Sequence, residues 1–571
     1  MPADIKYLNE KRKVLKTLKD PWIHHYQILG KYIYARKQQF EETQIQAGAF
    51  LNDGMINDST AIRANGAMAS AIMGALWKSG SKTFKISRPK NIPDTDANNK
   101  YYERKNEIIT EAMESPKAGF ETAFHEEICE EGAFGTACIA LFRGDFNNPL
   151  NFKSWSIQSI YISEGPDGYV DTVYYDEKIT IGNLVEKYGK EKLPESLRKK
   201  WENPKTRVDK VLLCVGIEPR PESDRKGAGA LGMPVATYHF LPEDNTILQE
   251  SGYVEMPARV GRWYKLASEV YGRSPGMDAL PAIMQINALK ESFLVGVEKK
   301  VDPPLWILDD GTLGAGTVDT SARGFSVFNS TGRAQGNAPV GTIFDVGELQ
   351  STASTIAETK EEILQHFLID RLYDLNNKTR MTLGEAEMRY QIRSDALSAI
   401  YARYTSEVLN PLVTRAYNIL FEMGLLGVQE DDLISQEILI SEGIEPLIIP
   451  PDVVTAIELG RKIYDINYIS PAAHVMREEE YRGLMTTINN GMQLEQLVPG
   501  TLLKLDLDRA LELSAELTGA PMDIIVSDDK VKALRDAIKK AQAQAQQVAE
   551  AEQMSKVGKN VAQAQAATAG G

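Results

Sequence analysis

The chain has 571 residues and carries 64 Lys and Arg against 79 Asp and Glu, a net charge of −15. That length exceeds what one hydrophobic core supports, so several subdomains are expected. The acidic surplus argues against broad coating of nucleic acid, which needs many phosphate contacts, while leaving room for a polyanion that passes without sticking.

Hydrophobic residues make up 43% of the chain, the fraction of a folded globular protein, and no apolar run approaches the roughly 18 residues needed to cross a bilayer. The opening MPADIKYLNEKRK leads straight into an amphipathic pattern, so no membrane contact and folding in a cytoplasm are expected. Three cysteines, Cys129, Cys138 and Cys214, are too few and too irregularly placed for a disulfide framework or a zinc site, and buried thiols are expected.

Residues 1–47 read as helical, with Tyr7, Leu8, Leu15, Leu18, Trp22, Ile23, Tyr26, Ile33 and Tyr34 at helical spacing and a break at Asp20-Pro21. Asp58-Ser59-Thr60 caps a second helix, STAIRANGAMASAIMGALWKSG, whose small residues permit close approach of another helix. TFKISR reads as a strand, 100–115 as a helix ended by Pro116, 119–132 as a helix and 136–143 as a strand. From Trp155 to Gln249 short alternating runs and turns predict a β-rich part, with a small inserted helix from Thr180.

The stretch from Tyr271 to Asp310 joins a sharp turn, a long helix and a stop. Gly272, Pro275 and Gly276 supply the turn, Asp278 can cap, and Leu280, Ile283, Ile286, Leu289, Phe293 and Val297 recur at helical spacing before Pro303-Pro304. Trp306, Ile307 and Leu308 predict a strand, and a Gly/Thr/Asn-rich loop runs to Gly347. A second helix, ELQSTASTIAETKEEILQHFLID, then a polar turn, DLNNKTRM, precede a very long helix in which Pro411 predicts a kink. Residues 430–540 are mostly helical, and the closing Ala/Gln run predicts a frayed helix or disorder.

The motifs that suggest chemistry fail on context. Gly227-Ala-Gly229-Ala-Leu-Gly232 has the dinucleotide spacing but neither a strand directly before it nor a helix after it, so it reads as a loop. His125-Glu126-Glu127-Ile-Cys129 has no further ligand at a sensible spacing, and the clusters Glu126, Glu127, Glu130 and Glu131, and Glu478, Glu479 and Glu480, read as solvated acidic helix faces. His24-His25 point apart on their helix and read as partly packed surface residues. No GxxxxGK[ST] loop is present, so nucleotide-driven work would fall to a partner. No catalytic, cofactor-binding or metal residue is expected.

The order of elements carries more than any motif. Helix, β-rich loop, returning helix, polar turn and long kinked helix together resemble the head-to-tail connector, or portal, proteins of short-tailed bacteriophages. The segments DSTAIRANGAMASAIMGAL, GRWYKLASEVYGRSPGMDALPAIMQINAL, EKKVDPPLWILDDG, TRMTLGEAEMRYQIRSDAL and LNPLVTRAYNILFEMGLL carry this resemblance in the family's order. It spans about residues 5–530, the loop near 220–234 excepted.

The resemblance implies an α+β, mainly α portal fold with long stem helices, a β-rich wing, a small α/β clip and a helical C-terminal crown. Its parts would be the wing 1–265, a stem helix 266–302, the clip 303–347, a second stem helix 348–371, a tunnel loop 372–381, a long kinked wing helix 382–428, the crown 429–540 and the tail 541–571. It implies a closed ring of about twelve copies at one capsid vertex, a channel for genome packaging and ejection. Asn376, Asn377, Lys378, Thr379 and Arg380 would be the loop facing double-stranded DNA, gripping it weakly and without sequence preference. In the clip, Arg323, Phe325, Phe328 and Arg333 would contact the packaging motor (terminase large subunit) and then the tail adaptor. Other implied partners are tail proteins and the major capsid or scaffolding protein, and the implied location is the virion after assembly in the host cytoplasm. The competing reading is another structural virion protein, such as a tail adaptor or minor capsid component.

Overall fold

A computed structural model describes residues 4–34, 56–77, 83–227, 229–309, 318–329, 340–343, 347, 349–372, 397–468, 471–498, 500, 504–518, 531–532 and 534–542. The chain divides into two compact units, one from residues 1–80 and 112–419, the other from 81–111 and 420–571.

The chain opens with helices α1 (Ile5–Tyr32) and α2 (Thr60–Leu76), strand β1 (Phe84–Ser87) and helices α3 (Asp96–Glu114) and α4 (Phe120–Phe134). Strands β2 (Thr136–Asp145), β3 (Asn148–Trp155), β4 (Ile160–Glu164) and β5 (Val170–Thr180) follow, then small helices α5 (Ile181–Tyr188) and α6 (Glu195–Glu202). Next are β6 (Lys210–Pro219), β7 (Val235–Leu241), β8 (Thr246–Tyr253) and β9 (Ala258–Arg262). Helix α7 (Pro275–Val301) leads to β10 (Leu305–Asp309), β11 (Phe325–Asn329) and β12 (Val340–Thr342), and α8 (Gln350–His366) with α9 (Ile369–Leu372) leads away from them. Helix α10 (397–404), a π-helical turn at Thr405–Leu409 and α11 (Asn410–Glu422) come next. The rest is α12 (Leu433–Ser441), α13 (Pro451–Glu458), β13 (Asp465–Tyr468), α14 (Pro471–Leu497), α15 (Leu507–Thr518) and a last helix, α16 (531–532 and 534–542).

In the first unit, β4 to β8 form a five-stranded antiparallel sheet in sequence order, and α1 packs against it. Leu8 and Leu15 of α1 join Tyr161, Tyr174, Cys214, Ala236, Tyr238 and Phe240 in one apolar cluster. Charged side chains fasten the helix on both sides of that seam. Lys11 Nζ meets Glu218 at 2.7 Å, the Arg12 guanidinium grips Asp176, and Lys19 Nζ donates to the carbonyls of Ile157, Gln158 and Ile160.

These anchors explain the first departure from the sequence reading: α1 runs through Pro21 without ending. A proline forfeits one hydrogen bond and crowds the preceding turn, but the helix is held at Lys19 on one side and by the buried Tyr26 and Leu29 on the other. Residues 35–47, also expected to be helical, lie outside the described residues.

Helix α4 lies over the three-stranded sheet β3-β2-β9, with Phe120, Phe124 and Phe152 in ring contact. The close helix approach expected of α2 exists against α4, but the glycine that allows it is Gly132. A Cβ there would collide with Met68 and Asn65 of α2, whereas Gly66 and Gly74 of α2 face open space. Asn65 Nδ2 also donates to the Cys129 carbonyl at 3.0 Å. Near Pro411 the irregularity is the π turn directly preceding it, a geometry that accommodates a residue lacking an N–H.

In the second unit, β1 and β13 pair antiparallel, from Phe84↔Tyr468 to Ser87↔Asp465. Asn106 of α3 serves this edge, its Oδ1 accepting from Ile86 N at 2.6 Å and its Nδ2 donating to Ile86 O at 2.9 Å. None of the three cysteines is in a disulfide, and all three are buried. Among the described residues no helix is long and apolar enough to cross a membrane.

Candidate functional site: an arm of helix, sheet and returning helix

The arm begins at a tightly determined turn. Gly272 N donates to Thr136 Oγ1 at 2.7 Å, and a Cβ on Gly272 would collide with the backbone of Gly135. Ser274, not the expected Asp278, caps α7: its Oγ accepts from Met277 N at 3.0 Å and donates to Ala133 O at 2.9 Å. The serine therefore closes the helix end and ties it to α4 in one contact.

The first half of α7 is embedded, with Ala279, Ala282, Ile283 and Ile286 buried. The buried Asn287 ends this part. Its Oδ1 accepts from Asn57 N at 2.7 Å and Asp58 N at 3.1 Å, and its Nδ2 donates to Ile283 O at 2.7 Å. Asp58 in turn meets Lys290 at 2.8 Å, and despite its burial the Lys290 and Thr60 bonds hold its carboxyl below the usual range. Beyond Lys290 the helix stands out: Leu294, Val295 and Val301 are exposed. The returning α8 packs along α7 through a stripe that buries Ile356, Thr359 and Ile363.

At the tip, β10 pairs in parallel with β11 and antiparallel with β12. The loop into β11 is organised by Asp319. Its Oδ1 accepts from Ser321 N at 2.9 Å and Ser321 Oγ at 2.6 Å, which hold this carboxyl below its ordinary range. Gly324 leaves room for Asp319, and Asp319 N donates to the buried Ser326 Oγ at 2.7 Å. Each strand of this sheet turns an apolar side chain outward: Leu305, Phe325, which is 60% exposed, and Val340. A three-stranded sheet with apolar residues facing solvent from every strand has the character of a contact surface.

Of the residues expected to act here, Arg323 and Phe325 are at this tip. Arg323 has φ +61, so its backbone is left-handed, and its Nε donates to Asp302 Oδ2 at 2.8 Å while most of its side chain is exposed. It therefore bridges the end of α7 to β11 and is not a free cation. Phe328 pairs by backbone with Leu308, and its side chain, like the whole of Arg333, lies outside the described residues. So does the polar turn Asn376, Asn377, Lys378, Thr379 and Arg380.

Behind the arm lies a group that the sequence reading missed. Glu127, Glu130 and Glu131 of α4, expected on a solvated face, are buried. Every residue from Glu127 to Phe134 is buried, and the apolar Ile128, Cys129, Ala133 and Phe134 set around these acids are the signal that could have revealed it. Glu130 accepts from Ile157 N at 2.9 Å. The other two converge on Gly261 of β9, where a Cβ would lie 2.5 Å from Glu127 Oε1 and 3.2 Å from Glu131 Oε2.

Neither Glu127 oxygen has a hydrogen-bond partner among the described residues, and Glu131 Oε2 and Glu407 Oε2 also lack one. Glu407, on the π turn, faces Arg262 at 3.4 Å and Arg403 at 3.9 Å, and Arg262 is tied to Glu164. Burial, with Glu407 nearby, pushes the Glu131 carboxyl up to about 8, against the opposing pull of Tyr404, Arg403 and Arg262. Burial, with Glu131 and Glu407 nearby, pushes Glu127 well above its usual value. These are acids held neutral inside the fold. Among the described residues no His, Cys, Asp and Glu group could hold a metal ion. The side chains of Glu478, Glu479 and Glu480 lie outside the described residues. Of the stretch with dinucleotide spacing, Ala230–Gly232 forms a 3₁₀ turn shortly before β7.

An embedded helix that becomes a free-standing arm, tipped by a sheet with outward apolar side chains, defines a structural assembly subunit. Comparison with known proteins agrees with that class: the family model described as bacteriophage head to tail connecting protein matches residues 6–526, and the chain belongs to that family. It is thus a mainly α, α+β protein of the phage virion, acting where head and tail are joined. A probable portal protein of Bordetella phage BPP-1 is 24% identical over 545 residues, covering 94% of this chain and 91% of that protein. The portal protein of Salmonella phage epsilon15 is 23% identical over 557 residues, covering 94% and 92%. Among solved structures, a chain in the virion of a native gene transfer agent particle aligns with a TM-score of 0.30 and 12% identity, over 71% of this chain and 97% of that one.

Proposed function

We propose that the chain is a portal subunit: copies of it close into a ring of about twelve at one capsid vertex, around a channel for genome packaging and ejection. The observation that carries this reading is the family match across residues 6–526, within which the embedded-then-projecting α7 and returning α8 fall. In this reading α7 and α8 are the stem, the β10-β11-β12 sheet is the clip, the β-rich region is the wing, and the helices from about 429 onward are the crown. The part of α7 beyond Lys290 is free to pack against neighbouring copies. The clip's outward Leu305, Phe325 and Val340 suit docking of the packaging motor, a terminase large subunit, and afterwards a tail adaptor.

The subunit's work is mechanical and electrostatic. A net charge of −15 repels phosphate overall, so duplex DNA slides without specific drag. Lys378 and Arg380 supply weak, sequence-independent backbone contacts in the channel. Energy for packaging comes from the docked motor, and assembly takes place in the host cytoplasm, with capsid or scaffolding protein around the ring. Negative-stain images of the purified full-length protein test the reading. A ring with a central hole is expected, and a compact monomer at assembly concentrations would overturn it.

A further inference from the structure

Between Ala416 and Gly460 the sequence holds nine Asp or Glu and no Lys or Arg. In the middle of this stretch lies α12, whose N-terminus is capped by Asp432, with Oδ1 accepting from Ser435 N at 3.1 Å. Of its apolar residues only Leu439 is buried, whereas Leu433, Ile434, Ile438 and Ile440 are 46% to 74% exposed. Helical geometry sets these four on one broad side together with Glu437. Scattered surface apolars need no explanation, but four on a helix of 9 residues do.

The reverse pattern occurs at α16. Residues 530–540 hold five Lys or Arg against the single acid Asp536. Leu534 and Ile538, one helical turn apart, are 58% and 56% exposed. Arg535 is committed to Asp508 of α15, at 2.6 and 2.7 Å, which fixes the helix, while Lys532 and Lys539 are exposed. The family match ends at residue 526, so α16 lies beyond it.

We propose that the acidic apolar face of α12 receives the basic apolar face of α16 from a neighbouring copy of this chain, a pairing that rests on the ring reading above. Complementarity selects this occupant: each face offers exposed aliphatic side chains, one flanked by acids without a base and the other by bases. Among the described residues both faces are open within one copy, and the partner face is therefore assigned to another. In a closed ring every copy gives one α16 and receives one, which links neighbours head to tail around the crown.

The test uses the full-length protein carrying Ile438→Cys and Ile538→Cys, in a chain whose own three cysteines are buried. Oxidation of assembled rings is expected to give a ladder of covalent multimers. Adding Lys532→Glu and Lys539→Glu should lower the cross-link yield about tenfold, and adding Glu437→Lys and Glu442→Lys as well should restore it. Rings that give no cross-link, a bridge confined within one chain, or a yield indifferent to charge reversal would each overturn the pairing. Wild-type protein that forms no ring would instead remove the ring reading itself, a result visible by microscopy before any cysteine is introduced.

Discussion

Glu131 offers the sharpest test of the buried acid group. Its side chain lies inside the fold beside Glu127 and Glu407, with a folded-state value pushed up to about 8 from an ordinary 4.5, mainly by burial. A carboxyl raised in this way binds its proton more tightly folded than unfolded. It therefore contributes stability that is complete below pH 4.5 and is lost as pH rises toward about 8. At about 1.4 kcal/mol per pH unit, that window amounts to roughly 4 to 5 kcal/mol. Glu131→Gln keeps the shape and removes the proton, so its unfolding free energy should be flatter with pH, matching wild type near pH 4.5 and exceeding it near pH 8. Urea unfolding followed across pH 4.5 to 8, or the pH dependence of Tm, reads the difference. Parallel curves for the two proteins would show that Glu131 is not held neutral, and the account of the cluster would be wrong.

Further perturbations follow from the packing and from the proposed channel and clip. Gly132→Ala forces a methyl against Met68 and Asn65 and should cost about 1 to 3 kcal/mol, whereas Gly66→Ala, facing open space, should be neutral or add up to about 1 kcal/mol, both by thermal melting. Lys19→Met strips three backbone carbonyls of their donor and should lower stability by about 2 to 4 kcal/mol, with earlier proteolysis near residues 157–160. Replacing Lys378 and Arg380 by Ala should leave rings intact but reduce the full-length DNA retained in particles, and normal retention would remove them from the channel. Replacing Arg323, Phe325, Phe328 and Arg333 together by Ala should abolish pull-down of the motor or the tail adaptor. A variant that still binds both would assign these residues to packing between clips.

Legibility from sequence followed the physics of each segment. The arm was readable because its pattern is local: apolar residues at helical spacing, a turn with Gly272, Pro275 and Gly276, and a Pro-Pro stop outline α7 without reference to anything distant. What escaped was decided at long range. Pro21 predicts a break by local chemistry, and anchors on either side of it, Lys19 reaching carbonyls at 157, 158 and 160 and the buried Tyr26 and Leu29, let the helix continue. Asp278 is a good cap by residue type, but Ser274 also reaches Ala133 O on α4, so tertiary contact chose between them. The pairing of β1 with β13, which draws residues 81–111 into the C-terminal unit, has no signature in either short segment.

The buried acids show the limit most clearly, because the same letters, EE, mark a solvated face or a neutral interior depending on what surrounds them. Around Glu127 and Glu131 the flanking Ile128, Cys129, Ala133 and Phe134 are all buried, so the last two turns of the helix have no exposed face. Glu127 and Glu131 then go in with the apolar residues, and burial raises both carboxyls so that the neutral form is favoured there. Their place, where α4, β9 and the π turn meet behind the arm, ties the ionisation of Glu127 and Glu131 to the packing that holds α7 at Ser274. A helix that projects from the body transmits load to its root, so a neutral, tightly packed root suits a subunit whose work is mechanical.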